Sequence, residues 1–434
     1  MTEPYLSQPI DETAAAKLRE AGLRLSLVDT SDTADTAAFD AWLSADARGF
    51  HAKQPSAAAL AQERELLAHR RLTAVHDDAI PASAGIVGTV SSWAAPLTVP
   101  GPRPLDAWLI SSVTVSPTHR RRGIASALLP GQLRVAKDLG LAIAALTVSE
   151  STIYGRWGFG PSTFASSWSI APRRAGWIGP KTTGRLSFTT PDEFRETSRE
   201  LLVRQNEARA GEIRLSDYLA ERQIGPLEGT TDAERFRLVR YDGPDGDPQG
   251  FITYVITGGE SDFTDHTLDI IALVSTTPEA NAALWRYVIE MDLVGKVRAN
   301  TRGVDEPLPW LVTDLRQAQV TGVQDHLWTR ILDVPAALEA RRYETSGSLV
   351  LDIDDSLGLA GGRFRLTVSE DGAASVRTTD ESADVSLPIS SLASLYLGAS
   401  AASGLAGSGR LSGDVATVDR LFRTAVPPRL SSWF

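Results

Sequence analysis

The sequence contains no cysteine, and this absence excludes several kinds of chemistry. Among its 434 residues there are no cysteines and only six histidines, which are scattered along the chain. Disulfide bonds, a thiolate nucleophile and cysteine-ligated metals are therefore excluded. No two histidines have the helical spacing of a metal-binding pair, so we expect no metal site. Any acyl transfer by this chain must proceed without a cysteine acyl-enzyme.

Long apolar runs and a basic charge are also missing. The N-terminal region mixes small and charged side chains, so we predict neither a signal peptide nor a membrane span, and hence a cytoplasmic location. The formal net charge is −11, which argues against nucleic acid as a partner. An acidic surface suits a cationic substrate, although it is also ordinary among soluble proteins.

The order of apolar and turn-forming stretches divides the chain into three segments. Residues 1–169 alternate predicted strands and helices, as in an α/β domain. Residues 170–320 share its rhythm of hairpin, apolar strand, turn and helix, which indicates a degenerate repeat. Residues 321–434 contain strands separated by glycine-rich turns. The predicted fold class is therefore α/β with mixed sheets, in tandem domains followed by a third domain.

The first segment carries the most detailed predictions. Its strands are predicted at 23–28, 86–93, 108–115 and 142–148, and its helices at 36–47, 57–72 and 124–139. The proline-rich stretch 95–105 is predicted to be a loop that joins two strands as a long hairpin. Pro130 lies inside the last helix and is expected to kink or end its first part.

A basic, glycine-containing motif follows one predicted strand and opens the next helix. It reads Arg120-x-x-Gly123-x-Ala125. A helix start leaves about four backbone N–H groups unpaired and carries partial positive charge, so a pyrophosphate can bind there. The two small residues let phosphates approach the backbone, and the arginines at 120–122 add positive charge. The alternative is a basic helix cap over an ordinary α/β turn.

The motif resembles the pyrophosphate loop of the GNAT acetyltransferase superfamily. In that superfamily the preceding strand splays from its neighbour and pairs with the pantetheine arm, and residues 113–115 occupy this place here. The stretch 149–163, Ser-Glu-Ser-Thr-Ile-Tyr-Gly-Arg-Trp-Gly-Phe-Gly-Pro-Ser-Thr, further resembles the signature of the Eis (enhanced intracellular survival) family. That family joins two GNAT-like domains to a domain similar to sterol carrier protein. The resemblance covers nearly the whole chain.

The resemblance implies acetyl-CoA as co-substrate, without a metal. The cofactor-binding residues that it implies are Val113, Thr114, Val115, Arg120, Arg121, Arg122, Gly123, Ile124, Ala125, Ser126, Ser149 and Glu150. The corresponding stretch of the second segment, 274–281, has no glycine and no arginine, and Glu279 would repel phosphate. One cofactor site is therefore expected. Family resemblance also implies a homohexamer.

Tyr154 and Phe434 are the predicted catalytic residues. In acetyl transfer the acceptor amine loses a proton and the CoA thiolate gains one. A phenol with a pKa of about 10 is a workable donor to a thiolate whose thiol has a pKa of about 8.5. The Eis resemblance implies Tyr154 as general acid and the C-terminal carboxylate, here that of Phe434, as base. For each residue the alternative role is core packing.

The resemblance implies direct transfer to a primary amine of a small molecule, aminoglycoside-like or another polyamine, or of a lysine side chain. Trp433 departs from the acidic residue that the family often has before the last position. Asp46 and Glu63 lie in predicted pocket-side helices and could compensate, or be solvated surface residues. Two alternative functions remain: an acyl-CoA-binding regulator without turnover, and a lipid carrier acting through the third domain.

Overall fold

A computed structural model describes residues 4–30, 36–225 and 233–434. The chain forms two compact units. The first comprises residues up to 162, residues 327–424 and Phe434, and the second comprises residues 163–326 and 425–433. Within the described ranges, no helix has both the length and the apolar character needed to cross a membrane.

The strands and helices are numbered along the chain. The strands are β1 (Arg24–Val28), β2 (Arg71–His76), β3 (Ile86–Val99), β4 (Arg103–Val115), β5 (Ile143–Thr147), β6 (Gly160–Pro161), β7 (Phe164–Ile170), β8 (Arg185–Thr189), β9 (Phe236–Asp242), β10 (Pro248–Gly258), β11 (His266–Ser275), β12 (Val294–Arg302), β13 (Ala318–Asp325), β14 (Leu327–Ile331), β15 (Gly347–Asp354), β16 (Gly362–Val368), β17 (Ala374–Thr378), β18 (Val385–Pro388) and β19 (Ser412–Gly413). The helices are α1 (Glu12–Glu20), α2 (Ala37–Gly49), α3 (Ala57–Leu67), α4 (Ile124–Asp138), α5 (Ser151–Tyr154), α6 (Pro172–Ala175), α7 (Pro191–Glu207), α8 (Asp217–Ile224), α9 (Pro278–Ile289), α10 (Val334–Ala340), α11 (Ile389–Tyr396), α12 (Ala402–Gly407) and α13 (Val415–Phe422).

The first sheet has the strand order β1-β2-β3-β4-β5-β14-β6. Neighbouring strands within this sheet are antiparallel, except for the parallel pair β4 and β5. Helix α4 connects that pair and packs on α1, where Gly131 allows a close approach. A Cβ atom at position 131 would lie 3.0 Å from the Cβ of Ala14, so a larger residue there would push the two helices apart.

A β-bulge in β4 opens the first sheet. Thr89 and Ser91 of β3 pair with Thr114 and Ser111 of β4, so two residues of β4 stand opposite one of β3. One of the two, Ser112, has a φ of 54°. Strand β4 pairs with β5 only over 107–110, and the strands part immediately before this bulge. The splay between β4 and β5 is therefore built by the backbone.

Two predictions about local structure in the first segment are wrong. The helix predicted over 57–72 ends at Leu67, and β2 begins at Arg71. The long hairpin predicted over 95–105 is confirmed, but the stretch is not a loop, because β3 and β4 continue through it as paired strands. Strand β3 pairs with β2 only up to Ser92, so beyond that point its outer edge is unpaired. Proline lacks an N–H group and is tolerated in such an edge position.

Helix α4 continues through Pro130 to Asp138. A proline inside a helix removes one backbone hydrogen bond and frees the carbonyl four residues earlier. That carbonyl belongs to Ser126, and it accepts a hydrogen bond from Lys17 Nζ at 3.3 Å. The lysine on α1 thus replaces the missing donor, which accounts for an uninterrupted helix where the sequence predicts a kink or an end.

The second and third sheets complete the two units. The second has the order β8-β9-β10-β11-β12-β7-β13 and belongs to the second unit, and the third has the order β17-β16-β15-β18-β19 and belongs to the first unit. Strand β7 begins before the predicted boundary at 169/170 and ends just after it, yet it pairs wholly in the second sheet. Strand β14 follows the boundary at 320/321 yet pairs with β5. No local sequence pattern marks a pairing between strands that lie so far apart along the chain. The division into domains at these boundaries stays a prediction.

Candidate active site

A cleft of about 590 Å³ opens in the first unit where β4 leaves β5. Its walls are the end of β4, the start of α4 and the segment that follows β5. The structure brings most of the predicted cofactor residues together here: Val113, Thr114, Val115, Arg120, Arg121, Gly123, Ile124, Ala125, Ser126, Ser149 and Glu150. Tyr154 lines the same cleft.

The start of α4 is shaped to receive an anion. Gly123 stands at the N-cap with a φ of 79°, a left-handed conformation that glycine adopts without strain. No side chain within the described residues caps this helix start, so the first N–H groups, at 124–126, have no capping partner. Arg120 and Arg121 are exposed beside them. These donors and charges fit the diphosphate of a nucleotide cofactor.

Arg122 points away from this cleft, contrary to its predicted role. Its guanidinium donates to Asp77 Oδ2 at 3.1 Å and to the Ala21 carbonyl at 2.9 Å. His119 Nε2 lies 2.9 Å from the same Asp77 oxygen. The hydrogen bond with His119 is the largest cause that lowers the pKa of Asp77 to about 2, and Arg122 adds to the effect. Arg122 therefore anchors the loop.

The neighbouring arginines provide a direct test of this difference. Arg121→Ala should raise the KM for acetyl-CoA about tenfold or more, because a charge-assisted hydrogen bond contributes about 1.5–3 kcal/mol. Arg122→Ala should lower the melting temperature and change this KM less. Steady-state kinetics and thermal unfolding of both variants check the prediction. An unchanged KM in Arg121→Ala would contradict the placement of the phosphates at the start of α4.

Tyr154 ends α5, which follows β5 by a few residues. Its side chain is 7% exposed, and its ring makes edge contacts with Trp157 and Phe159, at centroid distances of 6.3 and 6.1 Å. Burial raises the pKa of the phenol to about 12, and the carboxylate of Glu150 adds to the rise. Tyr154 is thus held rigidly in the cleft and keeps its proton at neutral pH.

Phe434 is half-buried at the far end of β5. One oxygen of its terminal carboxylate accepts a hydrogen bond from Thr147 Oγ1 at 2.7 Å, and its ring makes an edge contact with Trp93 at a centroid distance of 5.5 Å. Thr147 is the last residue of β5 and precedes Ser149 of the cleft by two positions. Phe434 is not among the residues that line the 590 Å³ cleft.

Sequence reasoning missed the residues around Phe434. The guanidinium of Arg70 lies 3.9 Å from the ring centroid of Trp93, so a cation and two aromatic rings meet beside Phe434. Arg70 falls within the stretch predicted as helix, and Trp93 and Thr147 fall in predicted strands, where such side chains usually indicate core packing. No sequence signal distinguishes them.

Comparison with known proteins shows which families the chain is similar to. Family models for an acetyltransferase (GNAT) domain match residues 31–162 and 217–331, and one for a sterol carrier protein domain matches residues 334–431. An uncharacterized N-acetyltransferase of Streptomyces avermitilis is 38% identical over 79% of this chain and 84% of its own. N-acetyltransferase Eis of Mycobacterium tuberculosis is 36% identical over 78% and 82%, respectively.

The chain belongs to the Eis family of GNAT N-acetyltransferases. Its enzymatic class, an acetyl-CoA-dependent N-acetyltransferase, is confirmed with the family. The structure of Eis1 from Mycobacterium abscessus superposes with a TM-score of 0.79 and 27% identity, covering 95% of this chain and all of that one. A GCN5-related N-acetyltransferase from Anabaena variabilis has the same TM-score at 18% identity and covers 95% and 100%, which shows the fold alone. The predicted fold class is confirmed.

Asp46 of this Eis-family chain lies on α2, next to the bulge in β4. It accepts a long hydrogen bond of 3.5 Å from Thr89 Oγ1 and another from the side chain of Ser112. Burial raises the pKa of this carboxyl to about 7, against these hydrogen bonds and the charge of Arg70, which lower it. A carboxyl group poised near neutral pH beside the splay is a second candidate for accepting a proton.

The raised pKa of Asp46 predicts a pH-dependent stability. In the unfolded chain an aspartate has a pKa of about 3.9, so the folded chain binds more protons between about pH 4 and pH 7. The contribution of Asp46 to the free energy of unfolding must then fall as the pH rises through this window. Urea unfolding at pH 5 and pH 8 should show that Asp46→Asn gains stability relative to the wild type at the higher pH.

Asp40→Asn on the same helix controls for the removal of a carboxylate, since its partner is the half-exposed Arg64. A stability difference between wild type and Asp46→Asn that is equal at both pH values would contradict the raised pKa.

The described part of the chain contains no group of three histidine or acidic side chains arranged to hold a metal ion.

Proposed function

We propose that this enzyme transfers the acetyl group of acetyl-CoA directly to a primary amine of a small molecule. The observation that carries the proposal is the splay between β4 and β5, where the uncapped start of α4 and the phenol of Tyr154 line one cleft. Phe434 is held at the end of β5, on the strand that forms the other side of the same splay. A cofactor loop, a proton donor and a carboxylate are the groups that direct acetyl transfer requires.

The cleft suits each part of acetyl-CoA. The N–H groups at 124–126 and the exposed Arg120 and Arg121 would hold the diphosphate. Residues 113–115 lie beyond the last pairing of β4 with β5, so their backbone groups on that side are open to hydrogen-bond the amides of the pantetheine arm. Bound in this way, the cofactor would present its thioester near the end of β5.

Tyr154 would donate a proton to the departing sulfur of CoA. With a pKa of about 12, the phenol is a weaker acid than a thiol of pKa about 8.5, so complete proton transfer in a separate step would cost about 5 kcal/mol. The arrangement therefore favours a phenol that donates a hydrogen bond to the sulfur and delivers its proton as negative charge develops there. Its burial against Trp157 and Phe159 fixes the position of the phenol oxygen.

The carboxylate of Phe434 would receive the amine. A terminal carboxylate has a pKa of about 3.5, so at neutral pH it is ionised and can pair with an ammonium group and take its proton. The bond from Thr147 positions this terminus without neutralising its charge. Asp46 is the alternative proton acceptor, and the substitution Asp46→Asn separates the two.

The identity of the amine is tested with a panel. We expect CoA release, measured with a thiol reagent, with one or more members of a set comprising an aminoglycoside, a linear polyamine, an aromatic monoamine and a lysine peptide. Turnover restricted to the lysine peptide would overturn the small-molecule assignment. Acetyl-CoA binding without CoA release from any member would favour the acyl-CoA-binding regulator instead.

We also propose that the enzyme acts in the cytoplasm, where acetyl-CoA is available, and that it assembles as a homohexamer. Support for self-association comes from β13, whose Val320 and Val323 are apolar yet 49% and 59% exposed. Light scattering behind a sizing column checks the assembly, and a monomer at micromolar concentration would contradict it.

A further inference from the structure

The second sheet repeats the splay of the first. The register of β10 and β11 shifts between Thr253 and Tyr254, which leaves Ile271 of β11 as an extra residue. Strands β11 and β12 are parallel, as are β4 and β5, and they pair only over 266–270 of β11. A bulge and a splay therefore occur at the same topological position as in the first sheet, and a cleft of about 840 Å³ opens there.

Side chains fill the inner part of the gap between β11 and β12. Arg302 donates to the carbonyl of Leu273 at 3.0 Å and to Glu306 at 2.8 Å, and Glu306 also accepts a hydrogen bond from Trp285 at 2.8 Å. The backbone edge that would pair with a pantetheine arm is thus occupied from within the protein. The cleft excludes a CoA-like arm but keeps its outer part, next to the start of α9.

Gln205 of α7 is the polar group that points to a ligand. It lines the cleft and is only 6% exposed. Its Oε1 accepts a hydrogen bond from the backbone N–H of Ser275 at 3.2 Å, which fixes the orientation of the amide. The Nε2 group then finds no acceptor in the described part of the chain. A buried donor without a partner is costly, so this site is built for an acceptor oxygen from outside.

Three arginines, Arg204, Arg209 and Arg429, line the same cleft. Arg209 pairs with Asp305 and Arg429 with the buried Glu212, so both guanidinium groups already have a carboxylate partner. Arg204 is exposed to solvent and is the cation that the cleft offers to a ligand. Its charge favours an oxyanion over a neutral carbonyl.

Of the acidic residues that line the cleft, Asp305 and Glu306 are already engaged, whereas Asp247 is exposed to solvent. Asp305 pairs with Arg209. Glu279, expected from the sequence to repel phosphate, accepts hydrogen bonds from the backbone N–H of Thr183 at 2.6 Å and from the hydroxyl of Tyr241 at 2.9 Å, and it does not line the cleft. We propose that the second unit binds a small metabolite through a carboxylate or phosphate group held by Gln205 and Arg204.

Calorimetric titration of the full-length protein with inorganic phosphate and, separately, with succinate tests this site in Tris buffer. At least one probe should bind the wild type with a Kd of about 1 mM or tighter. Gln205→Glu keeps an acceptor for Ser275 but replaces the amide donor with a repelling oxygen, and Arg204→Gln removes an exposed positive charge. Each should weaken binding about tenfold or more.

Two controls make the outcome specific. Arg214→Gln removes an exposed arginine that pairs with Glu207 outside the cleft, and it should leave the affinity unchanged. The titrations are also run with saturating CoA, which occupies the anion site at the start of α4, and the affinity of the second unit should then be unchanged. Binding of phosphate alone would identify a phosphoryl ligand, and binding of succinate alone a carboxylate. Absence of binding by both probes, or binding lost in the presence of CoA and kept in Gln205→Glu, would overturn the proposal.

Discussion

Replacing Tyr154 by phenylalanine should lower kcat by about 10²–10⁴-fold, the usual contribution of a positioned acid, while the KM for acetyl-CoA changes little. The substitution removes one hydroxyl and keeps the ring against Trp157 and Phe159, so the packing of α5 should persist. What is lost is the hydrogen bond to the departing sulfur, which is needed only as charge develops there. Stopped-flow single-turnover kinetics with saturating acetyl-CoA measure the chemical step directly.

Tyr287→Phe is the matched control, since it removes a tyrosine hydroxyl from the second unit, where Tyr287 is bonded to Tyr254. It should leave kcat unchanged. A Tyr154→Phe enzyme with wild-type turnover would remove the phenol from the mechanism. A rise in the KM for acetyl-CoA with kcat unchanged would instead assign Tyr154 a binding role in the cleft.

The phosphate-binding loop could be predicted because its chemistry is local. Backbone N–H groups at a helix start bind phosphate, and the strand, the glycine and the helix that create such a start are consecutive in sequence. The distinction between Arg121 and Arg122 is not local. Arg121 adopts a φ of 63°, and Arg122 turns to Asp77, which lies 45 residues earlier. Three adjacent arginines look alike in the sequence until the partner of each is known.

The splay itself could not be predicted from the residues that form it. Ser112 sits in an ordinary strand pattern, and its bulge arises from how β3 and β4 align. The neighbour of β5 on its other side is β14, about 180 residues later in the chain, and only the folded sheet shows this pairing. The role of Gln205 could not be predicted for the same reason, since its contact with Ser275 exists only in the folded chain. This contact fixes the side-chain amide and leaves its N–H donor unpaired.

A buried arginine lies in the core beside the third sheet. Arg341 is fully buried and donates to the carbonyls of Tyr396 and Phe422, and the rings of Tyr343 and Phe422 lie within about 5 Å of its guanidinium. Two carbonyl groups and two aromatic rings thus hold the buried guanidinium in this core.

Adding a few residues after Phe434 should reduce turnover by about 10²–10⁴-fold, the range expected for the loss of a catalytic base. The extension converts the terminal carboxylate to a neutral amide and moves the new charge elsewhere. The Phe434 carbonyl can still accept the hydrogen bond from Thr147, and the ring can still contact Trp93, so the terminus keeps its anchors. Acetyl-CoA should bind with unchanged affinity, because the start of α4 is untouched.

Three comparisons isolate the charge of that carboxylate. The same residues added to the N-terminus should leave the rate unchanged, which controls for a longer chain. Thr147→Val keeps the carboxylate but removes its positioning bond, so it should be impaired less than the C-terminally extended enzyme. Asp46→Asn should retain activity if Phe434 is the base. Full activity in the C-terminally extended enzyme, together with a collapse in Asp46→Asn, would transfer the role of base from Phe434 to Asp46, whose pKa of about 7 already suits it.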